Sequence, residues 1–339
     1  GPDLIIGGGD GREFVDIAGI VTVGDDIIVA NRHSPPAIQV FGADGSLLRT
    51  IGGDGEGPGE FRTIFAVWTE GDTIAALDTR LFRVSRFDVS GSLLGTDDSR
   101  WMLRPNYVPW ERFGDGSWLL VQNIADTDGD APGVTKRRAA RVRRDDPGLV
   151  EFGWFDDAPR QRVRGEYEPV LFQPRTALYA TAGDLFYYAY PDAHVLHVFD
   201  TAGAYVRSIT RDVRPAPVTG DLLPALLERE ADDLRARGHE GIEEELAGRA
   251  QPDVLPVLAG RAVTDDAGVI WVADYALPDA AHVRWTLYDR HGSHVGDVDL
   301  PPQFRPVRIE PDRLIGVWTD ELKVQTVRTY TLASPDVER

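Results

Sequence analysis

Three histidines stand near carboxylates in short polar segments: His33, His194 and His282. A neutral imidazole can bind a metal ion or act as a general base, and carboxylates support either chemistry. The side chains that these and the matching segments would offer to a ligand are Arg32, His33, Asp78, His194, Asp274, His282 and Asp320. The three histidines lie at different offsets from the apolar runs beside them. Their spacing therefore enforces no single catalytic or metal-binding set, and solvated loop side chains are the simpler interpretation.

A second group of possible ligands is the alternating acidic run Asp126, Asp128 and Asp130. Calcium loops surround the ion with hard carboxylate oxygens in this alternation. The match then fails, because Ala131 stands where a sharp-turn glycine is needed and Arg137 where a bidentate glutamate is needed. An acidic loop is the favoured interpretation, and calcium is the one cofactor that the sequence suggests.

The glycine-rich segment GGDGEGPGEF, residues 52–61, could instead cradle a phosphate. Such loops follow a strand and open a helix, whereas the strand-like run FAVWTE follows here. We therefore interpret the glycines as a sharp passage between two strands. The chain also has no Gly-x-Ser-x-Gly elbow, no His-Glu-x-x-His motif and no cysteine, so no familiar catalytic motif is present.

These side chains must be positioned by short strands, which recur as a repeat. AIQVFGADGSLLRTI, residues 37–51, predicts a β-hairpin with its turn at Asp44-Gly45. Similar hairpins recur at residues 84–96, 138–154, 195–209 and 284–298, and two further strands precede each of them. The strand-like run PDRLIGVWTD, from Pro311 to Asp320, marks a last unit after these five hairpins, so six copies of a four-stranded unit can be counted. Such an array predicts an all-β, six-bladed β-propeller with four-stranded blades, formed as one domain over residues 3–339.

The repeat resembles the six-bladed β-propellers of the NHL-repeat type. Two segments carry the resemblance: DDIIVANRHSPPAIQVFGADGSLLRTIGGDGEGPGEF from Asp25 to Phe61, and DAGVIWVADYALPDAAHVRWTLYDRHG from Asp266 to Gly292. The resemblance implies that the loops after the second strands share one face, at the mouth of a central channel. It indicates the fold well and the activity poorly, because this fold supports many functions.

The two ends of the chain predict how the last blade is completed. LIIGGGDGREF, residues 4–14, echoes RTIGGDGEGPGEF, residues 49–61, so the N-terminal strand matches the outer strand of a blade. We expect it to close blade six, which would remove an exposed edge. Gly1-Pro2 is either native after processing or a remnant of tag removal, so the expected closing strand begins after it.

Between blades four and five the strand pattern stops, over residues 213–256. Leu223, Leu226, Leu227 and Leu234 recur at helical spacing and predict a helical insert. The resemblance to the NHL-repeat type implies that this insert lies on the mouth face. Its leucine stripe needs a cover, supplied by the propeller or by a partner, and the run Glu243, Glu244 and Glu245 would offer a basic partner an acidic surface.

Composition restricts the possible partners. The 339 residues carry 36 Lys and Arg against 55 Asp and Glu, a formal net charge of −19. Such a surface repels phosphate backbones, so nucleic acid is a poor partner. No apolar run reaches the roughly 20 residues that span a bilayer, so we expect no membrane span.

The leading hypothesis is a non-catalytic binding or scaffold propeller, periplasmic or secreted, that docks a protein partner without a cofactor. In its most specific form, the protein is an accessory subunit on the outer side of a membrane-bound complex, such as an electron-transfer complex. The alternative is a metal-assisted lactonase, lyase or hydrolase that acts on a small molecule in the central channel.

Overall fold

The computed structural model describes residues 1–8, 14, 16–33, 35, 37–122, 133–163 and 166–332, without the side chains of residues 166 and 167. The strands of this part of the chain form six antiparallel sheets, and two helices lie between the fourth and the fifth. The predicted all-β, six-bladed β-propeller fold is confirmed, and each sheet is one blade.

The elements follow one another along the chain as follows. Strand β1 is Leu4–Ile6. Blade one contains β2 (Ile17–Val23), β3 (Asp26–Asn31), β4 (Ala37–Phe41) and β5 (Leu47–Ile51). Blade two contains β6 (Ala66–Glu70), β7 (Thr73–Asp78), β8 (Arg83–Phe87) and β9 (Leu93–Asp98). Blade three contains β10 (Tyr107–Arg112), β11 (Trp118–Gln122), β12 (Gly133–Val142), β13 (Val150–Val163) and β14 (Glu166–Pro169). Blade four contains β15 (Leu178–Ala182), β16 (Leu185–Ala189), β17 (Val195–Asp200) and β18 (Tyr205–Thr210). The helices α1 (Leu223–Ala236) and α2 (Ile242–Ala247) come next. Blade five contains β19 (Leu258–Thr264), β20 (Ile270–Asp274), β21 (Val283–Tyr288) and β22 (His294–Leu300), and blade six contains β23 (Phe304–Ile309), β24 (Arg313–Thr319) and β25 (Gln325–Thr331) with β1.

The chain divides into two compact units. Unit one comprises Gly1–Leu103, Asp265–Ala267 and Gln303–Arg339, and unit two comprises Arg104–Thr264 and Gly268–Pro302. Blades one, two and six belong to unit one, and blades three, four and five belong to unit two. The single-domain organisation expected for residues 3–339 stays a prediction.

The N-terminal strand completes blade six, as its sequence predicts. In unit one, β1 pairs antiparallel with β25, in the register Leu4 to Thr329 and Ile6 to Val327. Ile6 is buried in a core cluster with strands of blades one and six, whereas Ile5 beside it is 52% exposed. Because successive side chains of a strand point to opposite faces, β1 packs its Ile6 face against the core and leaves its Ile5 face exposed.

The glycine-rich segment 52–61 lies in unit one between β5 and β6, so the element that follows it is a strand. Phe61 is fully buried and packs on Phe87, with ring centroids 6.0 Å apart. A Cβ on Gly52, whose φ is +80°, would meet the Phe61 ring at 2.4 Å. Phe14 packs on Phe41 with ring centroids 6.1 Å apart, so the phenylalanine that ends each of the two segments packs on a ring in the third strand of the blade that follows it.

The turns of the outer hairpins have the same conformation. The sequence predicts such a turn at Asp44-Gly45. In the β8–β9 turn, Asp88 N–H donates to Ser92 O, Gly91 N–H donates to Asp88 O, and Asp88 Oδ1 accepts from Ser92 N–H. The glycines at the position of Gly91 have φ of +79° to +89°, at Gly45, Gly91, Gly203 and Gly292. The β24–β25 turn has the same hydrogen bonds but places Lys323 there, at φ +63°.

Blade three differs from the predicted four strands. In unit two, β12 and β13 are 10 and 14 residues long, and β14 adds a fifth strand at the edge of β13. The extension has its own buried polar pair, because the Arg137 guanidinium contacts the carboxylate of Asp157, which is fully buried. Arg137 also donates to Gln122 O at 2.7 Å. This ion pair accounts for an arginine where a calcium loop would need a glutamate.

Helices α1 and α2 lie within residues 213–256, between blades four and five, as predicted. The turn after α1 contains Gly238 at φ +78°, the left-handed conformation that ends many helices. Neither helix of the described chain is long and apolar enough to cross a membrane.

Candidate functional site

Unit one brings four side chains together between blades one and two. Asp16 precedes β2, Arg32 and His33 follow β3, and Thr63 precedes β6. His33 Nδ1 lies 3.1 Å from Asp16 Oδ2, and His33 Nε2 lies 3.2 Å from Thr63 Oγ1. Arg32 Nε lies 3.3 Å from Asp16 Oδ2, and its guanidinium stands 5.5 Å from the centre of the Phe65 ring. An acid, a base and a hydroxyl are thus joined by side-chain contacts.

Asp78 lies beside this group but is not open to a ligand. It is fully buried, and its Oδ2 accepts the N–H groups of Arg62 and Thr63 at 2.7 and 3.2 Å. Its Oδ1 accepts the N–H groups of Arg80 and Leu81 at 2.8 and 2.9 Å. The expectation that Asp78 contacts a ligand is therefore corrected: four backbone donors occupy its carboxylate, which fixes the chain before β6.

Unit two brings His194 and Asp274 together at the junction of blades four and five. His194 Nδ1 lies 3.5 Å from Asp274 Oδ1, and His194 Nε2 lies 2.8 Å from the Tyr288 hydroxyl. Arg211 Nη1 lies 3.4 Å from Asp274 Oδ2 and donates to Thr286 Oγ1 at 2.6 Å. The sequence names His194 and Asp274 as candidates, and only the fold shows that they face each other.

This group in unit two is buried. The side chain of His194 is 0% exposed, and His194 Nδ1 and Asp274 Oδ1 have no hydrogen-bond partner among the described residues. Burial raises the pKa of Tyr288 to about 12, so its hydroxyl stays protonated and can donate to His194. The group joins two blades by polar contacts, and its partly exposed members are Arg211 at 31% and Asp274 at 19%.

The remaining mouth-face candidates are His282 and Asp320. His282 is exposed immediately before β21. Asp320 is exposed in the β24–β25 turn, where its Oδ1 accepts the N–H of Val324 at 2.9 Å. Their contribution to binding stays a prediction.

The calcium candidates Asp126, Asp128 and Asp130 lie outside the described residues. Among the residues that the structure describes, no three His, Asp or Glu side chains converge as metal ligands. The possible calcium site therefore stays a prediction.

The leucine stripe of the insert is covered by unit two itself. Leu226 and Leu234 are 0% exposed, and Leu226 packs in a cluster with Leu171, Phe172 and Leu255. Leu223 and Leu227 are partly buried against the same cluster. Of the two covers that the sequence allows, unit two supplies the one over Leu226 and Leu234, and the docking role predicted for Leu223 and Leu227 stays a prediction.

Polar contacts fix the insert further. Arg249, which is buried, donates from Nε and Nη2 to Pro169 O at 2.9 and 2.7 Å. Glu230 Oε1 accepts the N–H of Phe172 at 3.1 Å, and Arg229 Nη1 donates to Ala276 O at 2.8 Å. The insert is thus joined to the end of β14, to the chain just after it and to the loop after β20, which makes it a fixed part of unit two.

The outward side of the insert is acidic. Between residues 213 and 256 the chain has ten acidic and five basic residues. Glu240, Glu243 and Glu244 are exposed, as predicted for a surface run. Glu245 is a correction, since it is buried with its Oε2 3.1 Å from His239 Nδ1. The acidic surface available to a partner therefore excludes Glu245.

Sequence reasoning missed Asp16, Thr63 and Tyr288. One signal could have found the first two, because Phe14-x-Asp16-Ile17 and Phe61-x-Thr63-Ile64 occupy the same place in consecutive repeats. No sequence signal marks Tyr288, which reaches His194 across 94 positions of the chain.

Comparison with known proteins supports the fold. The DUF5128 family model, described as a 6-bladed beta-propeller, matches residues 9–109. No curated protein sequence matches the chain. A DUF4221 family structure from Bacteroides vulgatus is 10% identical with a TM-score of 0.52 and covers 98% of both chains. A structure from Bacteroides fragilis, named "Putative exported protein", is 12% identical with a TM-score of 0.51 and covers 97% of this chain and 94% of its own. At these identities the chain is similar to both in fold alone, and the NHL-repeat type stays a prediction.

Proposed function

We propose that this propeller is a binding protein outside the cytoplasm that docks a basic protein partner on its helical insert. The observation that carries the proposal is that the insert buries its leucines on unit two and leaves acidic side chains outward. A fixed surface loses little conformational freedom when it binds. Opposite charges on a partner would steer the encounter and select the partner.

The location outside the cytoplasm has a separate support. The name of the Bacteroides fragilis structure describes an exported protein, and we extend that location to this chain. The accessory-subunit form of the hypothesis adds that the partner belongs to a membrane-bound complex. Fractionation of the native host into cytoplasm, periplasm and membranes, followed by immunodetection, tests both statements.

The test of partner binding uses a charge reversal with a matched control. Glu240→Lys together with Glu243→Lys changes two exposed insert residues. Asp25→Lys together with Asp72→Lys makes the same change in net charge on exposed turns of unit one. We expect the insert variant to lose co-purification with the partner from solubilised native membranes, and the control to keep it.

Salt provides a second measurement in the same experiment. Attraction between exposed charges is screened beyond about 8 Å at physiological ionic strength. Recovery of the partner should therefore fall as salt is raised. Equal recovery with the wild type and both variants at every salt concentration would reject the acidic surface as the docking site.

The alternative function, a hydrolase acting on a small molecule, is favoured by one specific observation. That observation is the contact of Asp16, His33 and Thr63 in unit one. The metal-assisted form of this alternative stays a prediction.

A further inference from the structure

The three side chains in unit one stand in the order that activates a hydroxyl nucleophile. Asp16 Oδ2 is 3.1 Å from His33 Nδ1, and His33 Nε2 is 3.2 Å from Thr63 Oγ1. A nucleophile within hydrogen-bond reach of a base, which a third group orients, is the arrangement shared by unrelated acyl-transfer enzymes. Such a set is recognised by geometry and roles rather than by order along the chain.

The chemistry of the acid assigns a role to each nitrogen of the imidazole. An ionised carboxylate only accepts hydrogen bonds, so Asp16 favours the tautomer with the proton on Nδ1. The lone pair of Nε2 then faces the Thr63 hydroxyl, which donates to it. His33 is thereby placed as a general base toward Thr63 Oγ1.

Backbone hydrogen bonds hold the nucleophile and the base in place. Thr63 N–H donates to the buried Asp78 carboxylate at 3.2 Å, and Ile64 N–H donates to Arg32 O at 3.2 Å. Arg32 N–H in turn donates to Asp16 O at 2.8 Å. The segments before β2, after β3 and before β6 are thus tied to one another, as a preorganised site requires.

The group in unit one is partly exposed to solvent, whereas His194 and Tyr288 in unit two are buried. Thr63 is 6% exposed, whereas the side chains of His33 and Asp16 are each 46% exposed. A small molecule can therefore reach the group along the imidazole. In unit two, both His194 and Tyr288 are buried, so similar functional groups there offer no such approach.

We propose that Thr63, His33 and Asp16 form an acyl-transfer site that hydrolyses small esters or lactones. Thr63 Oγ1 attacks the carbonyl carbon, and its proton passes to His33 Nε2. The C–O bond to the alcohol then breaks, and His33 returns the proton to the leaving oxygen. Water, deprotonated by His33, releases the acid from Thr63 and restores the hydroxyl. This activity goes beyond partner binding and does not depend on the insert.

Two probes test the proposal on the full chain. The first is hydrolysis of p-nitrophenyl acetate, and the second is covalent labelling by a fluorophosphonate, located by peptide mass analysis. We expect the label on Thr63. His33→Gln should lower both rates about 100-fold, the usual scale of general-base catalysis. His291→Gln, a change at an exposed turn histidine, is the control and should leave both rates unchanged.

Thr63→Ser keeps the proposal falsifiable, because a serine retains the hydroxyl and its contact with His33. A primary hydroxyl is less hindered, so this variant should be labelled at least as fast as the wild type. The proposal would be overturned if neither the wild type nor Thr63→Ser were labelled while Thr63→Ser kept the melting temperature of the wild type. Label found on another residue would also overturn it.

The insert variant separates the two proposals. Glu240→Lys with Glu243→Lys changes residues of unit two, whereas Asp16, His33 and Thr63 belong to unit one. It should lose the partner and hydrolyse the ester at the wild-type rate. Thr63→Val is the converse variant. It should lose labelling and still bind the partner.

Discussion

Replacing Leu226 tests whether the insert is anchored by its leucine stripe. Leu226 is fully buried against Leu171, Phe172 and Leu255. Leu226→Ala removes three carbon atoms from this cluster, which costs about 2.4 kcal/mol at about 0.8 kcal/mol per group. The cavity left behind raises the cost, so we expect a loss of about 3–5 kcal/mol.

Two measurements separate a local effect from a global one. Urea unfolding followed by tryptophan fluorescence gives the change in the free energy of unfolding. Amide hydrogen exchange, resolved by peptide, shows whether protection falls over residues 213–256 alone. If the insert detaches before the blades unfold, protection falls there by the stated free energy while the urea midpoint changes little.

An exposed leucine is the control. Leu322 is 84% exposed at the tip of the β24–β25 turn, so Leu322→Ala should change stability by no more than about 0.5 kcal/mol. If Leu226→Ala matched this control in both measurements, the covered stripe would be refuted. The leucines would then have to be covered by another protein.

Three further predictions follow from single positions. Ile6→Ala should destabilise the protein by about 2–4 kcal/mol in thermal unfolding, and Ile5→Ala on the same strand by far less, because only Ile6 is buried; equal effects would contradict closure of blade six by β1. Lys323→Gly should stabilise the protein by about 0.5–1 kcal/mol, because its φ of +63° is the conformation that four equivalent turns assign to glycine; a less stable variant would count against the turn. Burial raises the pKa of Glu111 to about 7 from 4.5, so the folded protein holds a proton that the unfolded chain releases, and stability falls as pH rises from 4.5 to 7. Glu111→Gln should remove that part of the slope in urea unfolding measured across this pH range, and an unchanged slope would refute the assignment.

Local patterns in the sequence predict the strands and the helices. The strand alternation and the Asp-Gly turns predict four-stranded blades, and among the described residues the structure adds a fifth strand in blade three. The spacing of Leu226 and Leu234 predicts a helix, which forms with both residues buried. These features depend on neighbours within a few positions of the chain, where backbone geometry leaves few choices.

The candidate sites depend on contacts between distant segments. Asp16 and Thr63 are 47 positions apart in the sequence, and each contacts His33 only because β2, β3 and β6 place their ends together. His194 meets Tyr288 in the same way, and Asp78 becomes a buried backbone anchor rather than a ligand contact. The sequence by itself determined the repeat, the closing strand and the insert, because strand and helix periods are local. Only the tertiary structure decided which loop side chains meet and which are buried, because those outcomes depend on how whole strands pack.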